Sequence, residues 1–513
     1  MRPRRFAVLL AVLTASLAGV ALIESHWDED SCIAIGWLVS KGWRLYSDIF
    51  THHTPLDYLP ASLIADVFGP SLMVMRAFMI ALWAAVAAAL YAVLRRREVG
   101  ARTGVFFALL SSQWLTYWYG QMMLIENYWS YAVVLALALL GSPLGLEPGP
   151  SPRRAAALGA LIAFVLTASP VCLPVSVLLA LWAVADARWR GLGRWMAAGA
   201  AGWLVFFGAW ASAHADLGLL WQNAVVFNRE VYARFYGLKG GAVLSFWRRA
   251  LDHNAAYFAS AFEFGNLERY FESLAKLIAM SWVAWSWAER RWAQAVWKLA
   301  FLVVVHSRPE KFPDAPPFHA APFYMTTTLI AAAALARIWD ALSGRRRTAF
   351  ALAAAALLLP TLWATSLATA SLRPFARSDD AYDTMLAAVR SCTAPQDRVV
   401  WMPCNPRFYL DTDRLPATPS VFYLPWQEAW EPQRRATMDA LARHRPKVVL
   451  IQDTTIWGVP WHVFGSGVDS WLKAERYAPV LQSTDPAARL RFQLFVRPDA
   501  APAFVACARN ATL

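Results

Sequence analysis

The 513-residue chain carries 58% hydrophobic side chains, 27 tryptophans and a net charge of +13, more apolar surface than soluble domains usually bury. Its basic residues form short clusters between hydrophobic runs rather than a stripe interleaved with aromatics. That pattern excludes a nucleic-acid partner and makes the bilayer the expected solvent.

The first apolar run, from Phe6 to about Ile23, follows Arg2, Arg4 and Arg5. It is long and lacks a small-residue cleavage pattern, so it reads as a retained anchor rather than a signal peptide. Further expected spans cover 72–94, 103–119, 124–141, 155–169, 172–186, 195–213, 271–288, 293–306, 320–340 and 348–370. With the anchor this makes about eleven transmembrane helices. Arginine and lysine gather at Arg2/Arg4/Arg5, Arg95/Arg96/Arg97, Arg153/Arg154, Arg188/Arg190/Arg194, Arg290/Arg291/Lys298 and Arg345/Arg346/Arg347. All six clusters fall on one side of the membrane only if the apolar run from 155 to 186 crosses twice, with Pro170 and Pro174 at its break. The N-terminus is then cytoplasmic. The loops around 25–71, 120–124, 214–270 and 307–319, and everything after 371, face the other side.

Those far-side segments carry the polar chemistry. Residues 25–71 open with Asp28, Glu29 and Asp30 directly after the anchor, followed by two apolar stretches too short to span, expected as amphipathic helices in the interface beside Trp37 and Trp43. Acids wedged between a span and an interfacial helix suit a general base or a headgroup ligand; their bland alternative is a solvated helix start with a capping aspartate. The 214–270 insertion mixes Trp221, Tyr232 and Tyr236 with Asn223, Asn228, Arg229, Glu230 and Arg234, a composition suited to sugar recognition, to a lid, or to a cap over the bundle. In 307–319, Arg308, Lys311 and His319 lie in a proline-rich loop that reads equally as a rigid connector.

From Ser378 the composition turns soluble. Helical periodicity at 381–389 and 434–443 alternates with short apolar strands at 398–402, 447–451 and 490–496, which predicts a small α/β domain on the far side. The division is therefore a membrane module over 1–370 and an extracytoplasmic domain over 371–513. A disulfide is permitted there; sequence cannot pair five cysteines, and Cys392–Cys404 is one bridge it leaves open.

The ordered set Asp28-Glu29, Gly42, Tyr46-Ser47-Asp48, His53-Thr54-Pro55-Leu56, Phe68-Gly69-Pro70-Ser71 and Arg76 resembles the GT-C superfamily of glycosyltransferases that use polyprenyl-phosphate sugars. It is most similar to the branch with the protein mannosyltransferases, the lipid A aminoarabinose transferase and the rhizobial lipopolysaccharide-core transferases. The resemblance implies that a first-loop acid, Asp28 or Glu29, deprotonates the acceptor, and that a second acid in the next far-side loop, here Glu126, takes part. It also implies a polyprenyl-phosphate-sugar donor, an acceptor that is a cell-envelope glycan, a lipid or a protein, an inverting hexosyl or pentosyl transfer, and an inner-membrane location with the C-terminal domain in the periplasm. Some relatives carry a lysine before the Pro-Leu step, where this chain has His52 and His53.

The chemistry is coherent without the resemblance. A sugar on polyprenyl phosphate already has a good leaving group, so the protein has to orient the acceptor hydroxyl, take its proton and neutralise phosphate charge. Arg76, His53, Arg308 and Lys311 are the expected phosphate ligands, with Asp30, His52 and His319 as further substrate contacts. Glu126 has a structural alternative, a carboxylate at the membrane interface held by Asn127 or Tyr128. Asp28 and Asp30 have a spacing that holds divalent cations in some superfamily members, but two carboxylates are few for a hard cation, and no metal or other cofactor is expected. A lipid flippase or transporter, or a non-catalytic assembly protein, is the alternative class. A transporter would place its charges near mid-membrane in repeated halves, whereas this chain crowds its acids at one face.

Overall fold

The computed structural model describes residues 3–17, 27–117, 123–146, 149–235, 243–263, 267–306, 320–349, 380–485 and 490–511. The chain is mostly helical and divides into two compact units. The first comprises Met1–Glu24, Met73–Trp210 and Gly240–Leu372; the second comprises Ser25–Leu72, Ala211–Lys239 and Arg373–Leu513.

In the first unit, long helices occupy the positions at which apolar runs predict spans: Leu72–Leu94, Glu98–Tyr117, Ile125–Leu140, Pro152–Ala168, Leu173–Ala185, Gly193–His214, Leu267–Ala288, Trp292–His306 and Ala321–Ala341. Among the described residues, three helical stretches are long and apolar enough to cross a membrane: Leu72–Leu94, Arg190–His214 and Ala321–Ala341. The break expected in the 155–186 run is there: Pro170–Cys172 is a 3-10 turn between two helices. Proline lacks the amide hydrogen that would continue the helix. The expected span at 348–370 lies almost wholly outside the described residues.

Large apolar side chains stay open on the surface of this unit. Val205 and Phe206 on the Gly193–His214 helix are 72% and 51% exposed, a surface that water would penalise and lipid does not. At Gly159 a Cβ would lie 1.9 Å from the carbonyl oxygen of Met196, so the two helices approach there only because the side chain is absent. The arginine clusters also close helix ends: Arg154 donates to Val93 O (3.1 Å) and Gly149 O (2.9 Å), and Arg188 to Leu140 O (3.3 Å). Val93 and Leu140 lie in last turns, whose carbonyls have no partner within the helix, and Gly149 lies in the loop before Pro152–Ala168.

The second unit joins Ser25–Leu72 and Ala211–Lys239 to the C-terminal segment Arg373–Leu513. Its core is a mixed four-stranded sheet in the order β1-β2-β6-β5, with β1 Val399–Met402, β2 Val448–Asp453, β5 Ala478–Asp485 and β6 Leu490–Val496. β1 and β2 are parallel, in the register Val399–Val448, and the β2–β6 and β5–β6 pairs are antiparallel. A short hairpin of β3 Thr455–Ile456 and β4 Val459–Pro460 stands apart. β5 is the strand without an apolar sequence signal: it is an edge strand, interrupted by Pro479 and a register shift before Leu481.

Two expectations change here. The bridge pairs Cys392 with Cys507, not Cys404, because Cys392 ends the Asp380–Cys392 helix and Cys507 lies in the Ala501–Ala511 helix packed beside it. Cys404 sits instead after β1, bridged through its backbone to Phe422. The Trp27–Ser40 helix, expected to lie in an interface, is enclosed from Glu29 to Val39. It packs on Leu59–Phe68 and on Arg407–Thr412. At Gly36 an added Cβ would fall 2.4 Å from the Ala61 Cβ, so glycine sets that crossing. The Leu59–Phe68 helix does keep an open apolar face, with Leu63, Val67 and Phe68 exposed.

Candidate active site

Asp28, Glu29 and Asp30 form the first turn of the Trp27–Ser40 helix, where the aligned peptide dipoles favour negative charge. The three differ in access. Glu29 and Asp30 are buried, at 0% and 7% exposure, whereas Asp28 is half-buried. Their surroundings come from the C-terminal domain. The Cys404 thiol is held well above its usual range by burial and then by the charges of Asp28 and Asp30. Tyr382 is likewise raised, by burial first, then Asp411, with Asp30 also contributing. The Tyr382 hydroxyl donates to Asp411 Oδ2 (2.8 Å), and Arg407 Nε donates to the same oxygen (3.0 Å). Cys404, Tyr382 and Asp411 bear on the acidic helix only through tertiary folding; no local motif marks them. The Arg407–Asp411 pair has a one-turn spacing that a helical reading could have found.

The histidine segment belongs to the same unit. His52 is half-buried among aromatic rings, 5.8 Å from Phe227 and 4.6 Å from Tyr232, and Asn228 Nδ2 donates to its carbonyl (2.7 Å). Burial, then the neighbouring His53, pushes its pKa well down, so His52 is a neutral, packed ring. His53 differs: its side chain is 40% exposed, and its Nδ1 lies 3.0 Å from Oδ2 of Asp57, which is 1% exposed. Tyr46 donates its hydroxyl to the His53 carbonyl (2.7 Å), and the His53 amide donates to Thr51 Oγ1 (3.1 Å). Tyr46 does this from a left-handed backbone, φ +74°, a conformation that costs a bulky residue about 1–2 kcal/mol. The Phe227–Tyr232 stretch that covers His52 includes a π-helical turn at Asn228–Tyr232, in the insertion whose composition suits sugar recognition, a lid or a cap.

Arg76 and Glu126 lie in the helical unit. Arg76 is fully enclosed in the second turn of Leu72–Leu94, and Glu126, 3% exposed, is in the first turn of Ile125–Leu140. Arg308, Lys311 and His319 fall outside the described residues. Among the described residues no three His, Cys, Asp or Glu side chains are grouped as metal ligands would be.

The arrangement is similar in fold to solved structures. ArnT from Cupriavidus metallidurans matches in the apo state with a TM-score of 0.55 at 14% identity, over 96% of this chain and 98% of that one. The same protein bound to undecaprenyl phosphate matches with a TM-score of 0.58 at 14% identity, again over 96% and 98%. The archaeal oligosaccharyltransferase AglB from Archaeoglobus fulgidus, in complex with an inhibitory peptide and a dolichol-phosphate, gives a TM-score of 0.44 at 11% identity over 95% of this chain and 74% of that one. No protein-family model and no curated protein matches the sequence. The chain shares its fold with the ArnT structures over nearly its whole length.

Proposed function

We propose that this chain is an integral membrane glycosyltransferase that moves a sugar from a polyprenyl-phosphate donor to an acceptor hydroxyl on the extracytoplasmic side. The observation that carries the reading is Asp28, the least enclosed of three first-turn acids, in a chain whose fold is shared end to end with a protein that binds undecaprenyl phosphate. In this reading the Asp28 carboxylate accepts the acceptor proton as the new glycosidic bond forms, and the sugar–phosphate bond breaks with its electrons passing to the phosphate. Exclusion of water around the acids strengthens each of these interactions and limits hydrolysis of the donor. Glu29 is the competing base, but its complete burial favours a supporting role. Glu126 and Arg76, both enclosed in the helical unit, are the further residues proposed to serve the reaction, and no metal is invoked.

The acceptor is an envelope glycan, lipid or protein, and the sugar a hexose or pentose. The test is transfer of labelled sugar from a synthetic polyprenyl-phosphate donor by purified protein in detergent, with envelope extract as acceptor. Product formation that depends on Asp28 supports the reading. Donor-independent lipid scrambling in vesicles, without transfer, would favour the flippase alternative.

A further inference from the structure

The tip of the β3–β4 hairpin is built from an unexpected residue. Thr455 and Ile456 pair with Pro460 and Val459, so Trp457 and Gly458 are the two turn residues, and both take positive φ, +55° and +75°. A two-residue hairpin asks for that backbone and favours asparagine or aspartate followed by glycine. Gly458 fits. Trp457 does not, because a bulky side chain at positive φ crowds its own backbone. The strands on either side are anchored: Ile456 and Val459 pack on the domain core, and the Trp461 amide donates to Thr454 O (2.9 Å). The hairpin therefore holds an indole, 45% exposed, where asparagine would be less strained. Strain kept at a surface position points to a use for the side chain.

The indole stands on a second one. Trp457 meets the buried Trp426 edge to face, with ring centroids 5.4 Å apart at 83°, and Tyr232 meets Trp426 in the same way at 5.3 Å and 84°. The Trp426 Nε1–H has no hydrogen-bond acceptor, a state that buried indoles rarely tolerate. Polar groups flank the pair in the chain: Asp453 and Thr455 are exposed beside the tip, and Glu428, two residues after Trp426, is half-buried. A pyranose ring matches this mixture. Its C–H face packs on an aromatic face, while its hydroxyls exchange hydrogen bonds with an indole N–H, a carboxylate and a threonine. A membrane surface matches it less well, since anionic headgroups repel Asp453 and Glu428.

We infer that Trp457 and Trp426 form a carbohydrate-binding platform, on which a sugar ring of the acceptor stacks against Trp457 while one of its hydroxyls accepts the Trp426 N–H. The inference rests on the proposed function and narrows the acceptor to a molecule that carries a glycan.

The experiment titrates purified full-length protein, in a detergent without a sugar headgroup, with short neutral oligosaccharides of glucose, galactose and mannose. Binding is read by saturation-transfer NMR. Wild type should bind, with saturation passing from aromatic protons to the sugar C–H groups. Trp457→Asn should weaken binding roughly tenfold or more yet melt no lower than wild type, because asparagine suits the turn. Trp457→Tyr should retain part of the affinity. Trp426→Phe keeps a ring, removes the donor and should weaken binding several-fold. In the transfer assay Trp457→Asn should raise the acceptor KM and leave the donor KM and kcat unchanged. If the Trp457→Asn variant melts earlier and binds sugars as wild type does, the indole only packs and the inference fails. It fails equally if wild type binds none of the oligosaccharides, or if an environment-sensitive label on Trp457→Cys reports lipid contact in nanodiscs, which would assign the tip to the membrane. Sugar binding needs no donor, so the two readings fail separately. Transfer with an acceptor KM untouched by Trp457→Asn overturns the inference alone, whereas sugar binding at Trp457 without transfer to any acceptor overturns the proposed function and leaves the platform standing.

Discussion

Asp28, Glu29 and Asp30 are equivalent as letters and unequal as groups, because a helix turns about 100° per residue and sends each side chain in its own direction. Asp28→Asn keeps the shape and removes the base, and should lower turnover by roughly 100-fold or more with donor binding largely retained. Asp30→Asn should be milder. Sugar transfer at saturating donor, with folding checked by thermal melting, separates the three; a loss confined to Glu29→Gln would move the base by one residue. Glu126 presents a second residue-scale test. A carboxylic acid 3% exposed at the start of an apolar helix is expensive unless used. Glu126→Gln should cut kcat by roughly tenfold or more while the protein stays folded in the membrane; an unchanged kcat in the purified variant would return it to a structural role.

Elements carry the next level of argument. β1 and β2 are parallel and begin together at Val399 and Val448, and just before them Lys447 Nζ donates to Asp397 Oδ2 (2.9 Å) while the Lys447 amide donates to Arg398 O (3.0 Å). Burial alone would push the Asp397 carboxyl up, but the hydrogen bonds from Lys447 and the Ala394 amide, with the Lys447 charge, hold it below its usual range. A carboxyl depressed in the folded state adds stability above its unfolded pKa of about 4 and loses it as pH falls through the folded value. Lys447→Met should therefore destabilise the protein by about 0.5–1 kcal/mol at neutral pH. Thermal melting of variant and wild type should converge at acid pH; a difference that persists below about pH 3 would assign the effect to packing of the lysine stem. Helix ends in the helical unit tell a parallel story: Trp285, Trp287 and Trp292 are exposed beside Arg290 and Arg291, a pairing of indole and guanidinium suited to a membrane interface.

At the scale of the molecule, topology is the open geometric statement. The reading of about eleven spans with all six arginine clusters cytoplasmic requires the last domain to be outside. Alkaline phosphatase fused after Leu513 should be active in a bacterial host, and an inactive but stable fusion would overturn both the span parity and the location. The Cys392–Cys507 disulfide agrees with an oxidising compartment. Mass mapping of non-reduced peptides should recover that pair and leave Cys404 as a thiol.

The long apolar helices were legible from residue order because their signal is local: about 20 apolar residues in a row announce themselves without reference to anything else. The acids at 28–30, the histidines before Pro55-Leu56 and most of the C-terminal strands could be found in the same way, by composition and spacing. Only the tertiary structure decided what surrounds them. It set Cys404, Tyr382 and Asp411 around the acidic helix, closed Phe227 and Tyr232 over His52, and paired Cys392 with Cys507 rather than Cys404. It also set His52 against the Phe227 and Tyr232 rings and its neighbour His53 beside the buried Asp57. Most of these outcomes depend on contacts between segments distant in the chain, 115 residues for the disulfide, and burial, which sets the charge state of each group, is a property of the packed chain and not of the neighbouring letters.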